Sequence, residues 1–255
     1  FFGAIFCFLP ASFNLILARA LGYLGYCLMS KKRQVVEDNL RTVYKQKTLK
    51  EINQISLKVF ENFASCFMDL LRLPIIKKEG YDKTVVLEGR EHLEKALSLG
   101  KGCILLAIHS GSWELASLVG SLCNHPYNVV ANEQKKAPLL NLLLNEYRKI
   151  AGAKVIPPGS STRDIIRALQ NNEIVSLVFD QGGKDGSVVD FLGKSASMST
   201  GAIRMALKYG VPICPVWIER QEGFKHVLKM YPADILTSSD NENKDTMLYT
   251  QRYAD

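Results

Sequence analysis

The chain has 255 residues, 47% of them hydrophobic, and a formal net charge of +7. That length and apolar content suit one large α/β domain, or a core domain with an added subdomain. The six cysteines contain no C-x-x-C pair and the four histidines are scattered without metal-ligand spacing. They read as buried free thiols in a reducing compartment, with no disulfide framework, no metal and no cofactor expected.

The charge is uneven. Between Arg19 and Lys50 stand Lys31, Lys32, Arg33, Arg41, Lys45 and Lys47, against only Glu37 and Asp38 as acids. Basic charge beside apolar sequence suits an anionic membrane surface. Nucleic acid is the other usual partner of a basic protein. No basic run interleaved with aromatics and no nucleic-acid motif is present, so no nucleic-acid partner is expected.

Residues 1–29 are mostly apolar, but Pro10, Ser12, Asn14 and Arg19 interrupt them. A spanning helix needs about 20 apolar residues. The pattern predicts two short apolar helices about Pro10, lying in or on a membrane; the alternatives are a buried helical hairpin and the remnant of a spanning helix. Residues 1–30 are therefore read as a membrane-associating helical segment and 31–255 as an α/β domain. The first residue is Phe1, which suggests that the natural start lies upstream.

Residues 31–80 read as helical. Val35, Val36, Leu40 and Val43 recur at helical spacing. Thr48-Leu49-Lys50-Glu51 has the form of a capping box, followed by Ile52, Ile55, Val59, Phe60, Phe63 and Phe67 on one face. Pro74 is expected to end that helix, with a polar loop over Lys77–Asp82.

From residue 84 to 232, strands and helices alternate. Strands are predicted at 84–88, 103–109, 127–133, 153–156, 173–180, 211–220 and 225–230. Helices are predicted at 90–99, 112–123, 138–151, 162–171 and 200–209, and 181–199 is read as a long loop. This order implies a mostly parallel central sheet flanked by helices. The polar segment 237–245 reads as a loop before a further helix. There is no repeat and no low-complexity segment.

The chemistry concentrates in Cys103–Glu114. A buried apolar strand stops at His109; Ser110, Gly111 and Ser112 form a turn; Glu114 stands in the first turn of the next helix. Ligands of open α/β sheets bind at the carboxyl ends of strands. A five-residue step can bring Glu114 onto the His109 ring, fixing its tautomer and making a general base. The plainer alternative stands beside it: His109 closes a strand, and Glu114 is an acid favoured by a helix dipole. A second strand ends in the same way, at Asp180-Gln181-Gly182. There the plainer reading is an acid capping a long loop.

Taken in order, these stretches resemble the late acyltransferases of lipid A biosynthesis, the lauroyl/myristoyl (HtrB-like) group of the lysophospholipid acyltransferase superfamily. His109–Glu114 is similar to that group's H-x4-E motif. Asp180-Gln181-Gly182, Val189-Asp190-Phe191-Leu192-Gly193 and Ser199-Thr200-Gly201 resemble its D-Q-x-G, V-x-F-F-G and T-x-T-G block. Lys32-Arg33 with Asn39-Leu40 resembles its R-x-x-x-x-x-N-L signature, and 211–220 its G-x-P-(I/V)-x-P-V strand.

The resemblance implies a glycerolipid-acyltransferase-like fold and an acyltransferase domain over 31–255. It implies fatty acyl transfer from acyl carrier protein or acyl-CoA to a hydroxyl of a glycolipid acceptor such as a lipid A precursor. His109 would be the base and Glu114 the group that orients it. Arg148, Asp180, Gln181, Ser110 and Gly111 would bind substrate, with backbone N–H groups at 110–112 as oxyanion donors. An apolar groove near His109 would hold the acyl chain, and the protein would lie at the cytoplasmic face of the cell inner membrane.

Two departures from the family stand out. Asn132 is near the position where the family often has Arg, so the charge would come from Arg148, Lys135 or Lys136; Arg148 also reads as a solvated helical base. The family's C-terminal Pro-x-Gln-Trp and His-x-Arg pieces are absent. The alternatives are a glycerolipid acyltransferase, which usually has Asp at the Glu114 position and an E-G-T-R-like block not found here, and a non-catalytic membrane-binding protein of the same fold.

Overall fold

Among the described residues, three helices come first. In the computed structural model, which describes residues 9–131, 136–157, 161–182 and 186–255, they are α1 (Ala11–Leu28), α2 (Ser30–Val43) and α3 (Leu49–Leu71). Helix α1 starts directly after Pro10, a residue suited to a helix start because it has no N–H to satisfy. It is the second of the two helices expected about Pro10; the first falls on residues 1–8, outside the described residues.

Thr48 and Glu51 form the capping box. The Thr48 N–H donates to Glu51 Oε2 at 2.8 Å and the Glu51 N–H to Thr48 Oγ1 at 3.3 Å. Pro74 does not lead into a loop. It sits in the first turn of α4 (Leu73–Glu79), where a proline is tolerated, and a single 3₁₀ turn over Tyr81–Lys83 completes the connection.

Helix α1 packs on α3 by its small side. A Cβ on Gly22 would lie 2.5 Å from the Glu61 Cα, so only glycine allows this approach. Asn14, Ala18 and Gly22 are buried, while Phe13, Ile16, Leu21, Leu24 and Leu28 face outward. Among the described residues α1 is the one helix long and apolar enough to cross a membrane, by length and composition. The expected burial of the thiols holds for Cys103 and Cys214; Cys27, on α1, is exposed.

The alternating region then runs β1 (Val85–Glu88), α5 (Arg90–Leu97), β2 (Cys103–Ala107), a 3₁₀ helix (Trp113–Leu118), α6 (Val119–Cys123), β3 (Tyr127–Val130), α7 (Pro138–Ile150), β4 (Ala153–Ile156), α8 (Ser161–Gln170) and β5 (Ile174–Val178). It continues with β6 (Ser187–Phe191), β7 (Lys194–Met198), α9 (Gly201–Tyr209), β8 (Ile213–Arg220), β9 (His226–Met230) and α10 (Glu242–Ala254). Seven strands form one sheet in the order β1-β9-β8-β2-β5-β3-β4. Among the described strands of this sheet, β8–β9 is the one antiparallel pairing, so the sheet is mostly parallel, as the alternation predicts.

Strand β2 is central and buried on both faces, which is why it reads as an unbroken apolar run. Cys103, Leu105 and Ala107 enter one core layer; Ile104 and Leu106 enter the other. The first layer is closed by α4, α5, the 3₁₀ helix and α7, the second by α8 and α9.

The stretch 181–199 is not a simple loop. Its described part pairs β6 with β7 as an antiparallel hairpin turning at Leu192 and Gly193, with φ of 54° and 78°. Two consecutive positive φ values make the tight turn that two-residue hairpins need. A leucine there is not the usual signal for such a turn.

Leu105 is completely buried in the central strand. Leu105→Ala should cost about 2–5 kcal/mol, read as a lower urea midpoint with an unchanged slope. A midpoint equal to the wild type would contradict its place in the core.

Candidate active site

Strands β2 and β5 pair in parallel, with Ala107 opposite Val178. The ladder continues past the strand ends, since the Phe179 N–H donates to the Ala107 carbonyl at 3.1 Å. Two residues further on each chain stand His109 and Asp180. Equal offsets from a parallel register put the two side chains next to each other, at the carboxyl edge of the sheet.

The Asp180 carboxylate holds His109 twice. Its Oδ1 lies 2.9 Å from the ring Nδ1, and its Oδ2 accepts the His109 backbone N–H at 3.3 Å. The Gln181 amide is 3.4 Å from the same ring nitrogen. The hydrogen bond from Asp180 raises the His109 pKa above the ordinary imidazole value. Partial burial opposes the rise, and the charges of Asp180 and Glu114 add to it. A ring that donates Nδ1–H to a carboxylate carries its lone pair on Nε2.

Glu114 does not hold the imidazole, as the five-residue spacing leads one to expect. The segment after the turn winds as a 3₁₀ helix, and Ser112 makes no side-chain cap at its start. The Glu114 carboxylate meets Arg148 of α7 instead. Arg148 Nη2 donates to Oε1 at 2.7 Å and Nε to Oε2 at 2.9 Å, a two-pronged pair. Glu114 therefore acts on His109 only through space. Arg148 is not a solvated helical base: it is 8% exposed, and Asn145 accepts a further hydrogen bond from it at 3.3 Å.

The turn itself is tightly built. The Ser110 N–H donates to the Ile108 carbonyl at 2.8 Å, so it is engaged within the chain and not free as an oxyanion donor. Gly111 has φ of +48°, and a Cβ there would lie 2.3 Å from the Ile218 carbonyl oxygen. Trp113 stands edge-on to His109 with ring centroids 5.4 Å apart, and Phe63 of α3 lies 6.1 Å beyond it. Phe63 is 66% exposed, and Val59 and Phe67 are exposed on the same helix. An apolar lane thus leads outward from the histidine along α3.

Asn132 and Lys135 lie outside the described residues, and Lys136 is exposed. Spacing and periodicity do not single out Asp69 and Arg220, which meet beneath the turn at 2.5 Å. A signal was available: Asp69 interrupts the apolar end of α3, Phe67-Met68-Asp69-Leu70-Leu71, where a charge must find a partner.

A profile of the bacterial lipid A biosynthesis acyltransferase family matches residues 1–255. The chain belongs to that family. It is 29% identical over 190 residues to a phosphatidylinositol mannoside acyltransferase of Mycobacterium tuberculosis, covering 71% of this chain and 58% of that one. The Mycolicibacterium smegmatis protein of the same name is 26% identical over 200 residues, covering 76% and 64%. A lipid A biosynthesis acyltransferase of Haemophilus influenzae is 22% identical over 251 residues, covering 97% and 78%. The chain thus spans under two thirds of the mycobacterial relatives it matches.

In this member of the family, Arg148 and Glu114 stand or fall together. Arg148→Met leaves a largely buried carboxylate unpaired and should cost about 3–5 kcal/mol in urea unfolding. Adding Glu114→Gln to the same chain should recover most of that loss. Equal stability of the single and double variants would contradict the pairing.

Proposed function

We propose that the chain is a membrane-associated O-acyltransferase that moves a fatty acyl group from an acyl thioester to a hydroxyl of a glycolipid. The thioester is acyl-CoA or the acyl form of acyl carrier protein. The observation that carries the reading is the His109–Asp180 pair at the sheet's carboxyl edge, 2.9 Å apart. The names of the relatives, which act on a phosphatidylinositol mannoside or serve lipid A biosynthesis, support a glycolipid acceptor.

Asp180 fixes Nδ1 as a donor and leaves Nε2 to take the acceptor's hydroxyl proton. The oxygen attacks the thioester carbonyl, and the tetrahedral intermediate collapses by breaking the C–S bond. The departing thiolate takes the proton back from the His109 imidazolium, so no covalent enzyme intermediate is needed. Glu114, tied to Arg148, adds a fixed negative charge that favours the imidazolium. Asp180 is thus assigned to orienting the base, the role that the family resemblance suggests for Glu114. Gln181, Ser110 and Gly111 border the base, where substrate must approach.

The acyl chain lies along the apolar lane formed by half-buried Trp113 and by exposed Phe63 and Phe67. Membrane association is supported by α1, whose large apolar side chains face outward while its small ones pack on α3. The bases Lys31, Lys32 and Arg33 at the start of α2 suit anionic headgroups, which supports a site at the cytoplasmic face of the inner membrane.

The test is acyl transfer with membranes, both thioester donors and a panel of lipid acceptors. His109→Ala should abolish transfer to a glycolipid. The base works only when neutral, and Asp180 raises its pKa, so the acid limb of kcat/KM should lie above about pH 6.5. Asp180→Asn should lower kcat on the order of 10²–10⁴ and move that limb to lower pH. Undiminished transfer by His109→Ala would overturn the reading.

A further inference from the structure

Asp69 is a carboxylate that the proposed chemistry does not use. It lies near the end of α3 and is fully buried. Burial disfavours its charge, but hydrogen bonds and charges from His226 and Arg220 outweigh that and hold its pKa below the ordinary value. Its oxygens meet three elements. Arg220 of β8 donates from Nη1 to Oδ1 at 3.2 Å and from Nη2 to Oδ2 at 2.5 Å. His226 Nε2 of β9 lies 3.4 Å from Oδ2. The Ser112 hydroxyl donates to the same Oδ2.

Ser112 belongs to the turn between His109 and Glu114. It also accepts from Arg220 Nη2 at 3.3 Å. One helical turn before Asp69, the Cys66 thiol donates to the Gly111 carbonyl at 2.8 Å. On the other side, the Ile218 carbonyl of β8 accepts the Ser110 hydroxyl at 3.4 Å and presses against Gly111. Helix α3 and strand β8 therefore grip three consecutive residues, and the Asp69–Arg220 pair ties the two grips together.

We infer that Asp69 is a positioning residue: through Ser112 and Arg220 it fixes the turn at 110–112, and with it the relative aim of His109 and Glu114. This rests on the acyl-transfer reading of the site. Small errors of placement are costly in such a reaction, about 10²-fold for a shift near 1 Å. A group that only stabilised the fold would change the melting temperature. A group that sets the turn changes kcat.

The experiment compares Ser112→Ala, Asp69→Asn and the double variant in the full chain, with His109→Ala as reference. Ser112→Ala should lower kcat about 10- to 100-fold, with the KM of both substrates within about twofold and the acid limb of the pH profile unmoved. The double variant should be no slower than Asp69→Asn alone, because the two groups act as one unit.

A second readout does not need activity. With Trp217→Phe in the background, Trp113 is the single tryptophan, since the chain has two. Ser112→Ala should make its fluorescence more open to acrylamide. Wild-type kcat in Ser112→Ala, or a loss confined to KM and melting temperature, would overturn the inference and leave the acyl-transfer reading intact. If Asp69→Asn does not fold, Ser112→Ala decides alone. Undiminished transfer by His109→Ala would overturn the acyl-transfer reading itself; unchanged Trp113 quenching in Ser112→Ala would then overturn the turn clamp as well.

Discussion

The pairing of β2 with β5 is the constraint from which the site follows. Two adjacent parallel strands run in register, and each ends in a polar residue two positions beyond its last ladder residue. A slip of one residue would turn every side chain of one strand to the opposite face. It would move Leu105 from one core layer into the other, and it would separate His109 from Asp180. The same apolar packing that holds the sheet together therefore sets the geometry of the ring and its carboxylate.

Around this pair the charges are matched two by two. Glu114 is paired with Arg148 and Asp69 with Arg220, and Asp180 accepts a hydrogen bond from the His109 ring. Buried or half-buried charges without partners are expensive, so each match stabilises the site and also prescribes where its backbone must run. The result is a turn held from three directions: by the sheet through His109, by α7 through Glu114, and by α3 with β8 through Ser112. Rigid support of this kind suits the proposed base, which would have to meet a hydroxyl and a thioester carbonyl together.

The sequence was most legible where structure is local. The apolar run of β2, the capping box at Thr48 and the alternation from residue 84 onward each follow from neighbours in the chain. His109 and Glu114 were identifiable as candidates for the same reason, since spacing across a turn is local. Their partners were not. Asp180 reaches His109 across 71 residues and Arg148 reaches Glu114 across 34, distances over which periodicity carries no information. The five-residue step suggested a dyad, but the 3₁₀ winding after Ser112 carries Glu114 to α7. The hairpin at 187–198 was missed because its turn uses Leu192 where Asn or Asp would have marked it. Asp69 was missed because an acid within an apolar helix reads as an interruption until its arginine is seen.

On the proposed mechanism, Asp180 makes His109 a base at Nε2. Nitrogen-15 NMR of the imidazole, assigned by comparison with His109→Ala, tests it most directly. The account predicts a neutral ring protonated at Nδ1, with a pKa above the ordinary imidazole value that falls in Asp180→Asn. A ring protonated at Nε2, or a pKa that Asp180→Asn leaves unchanged, would contradict it.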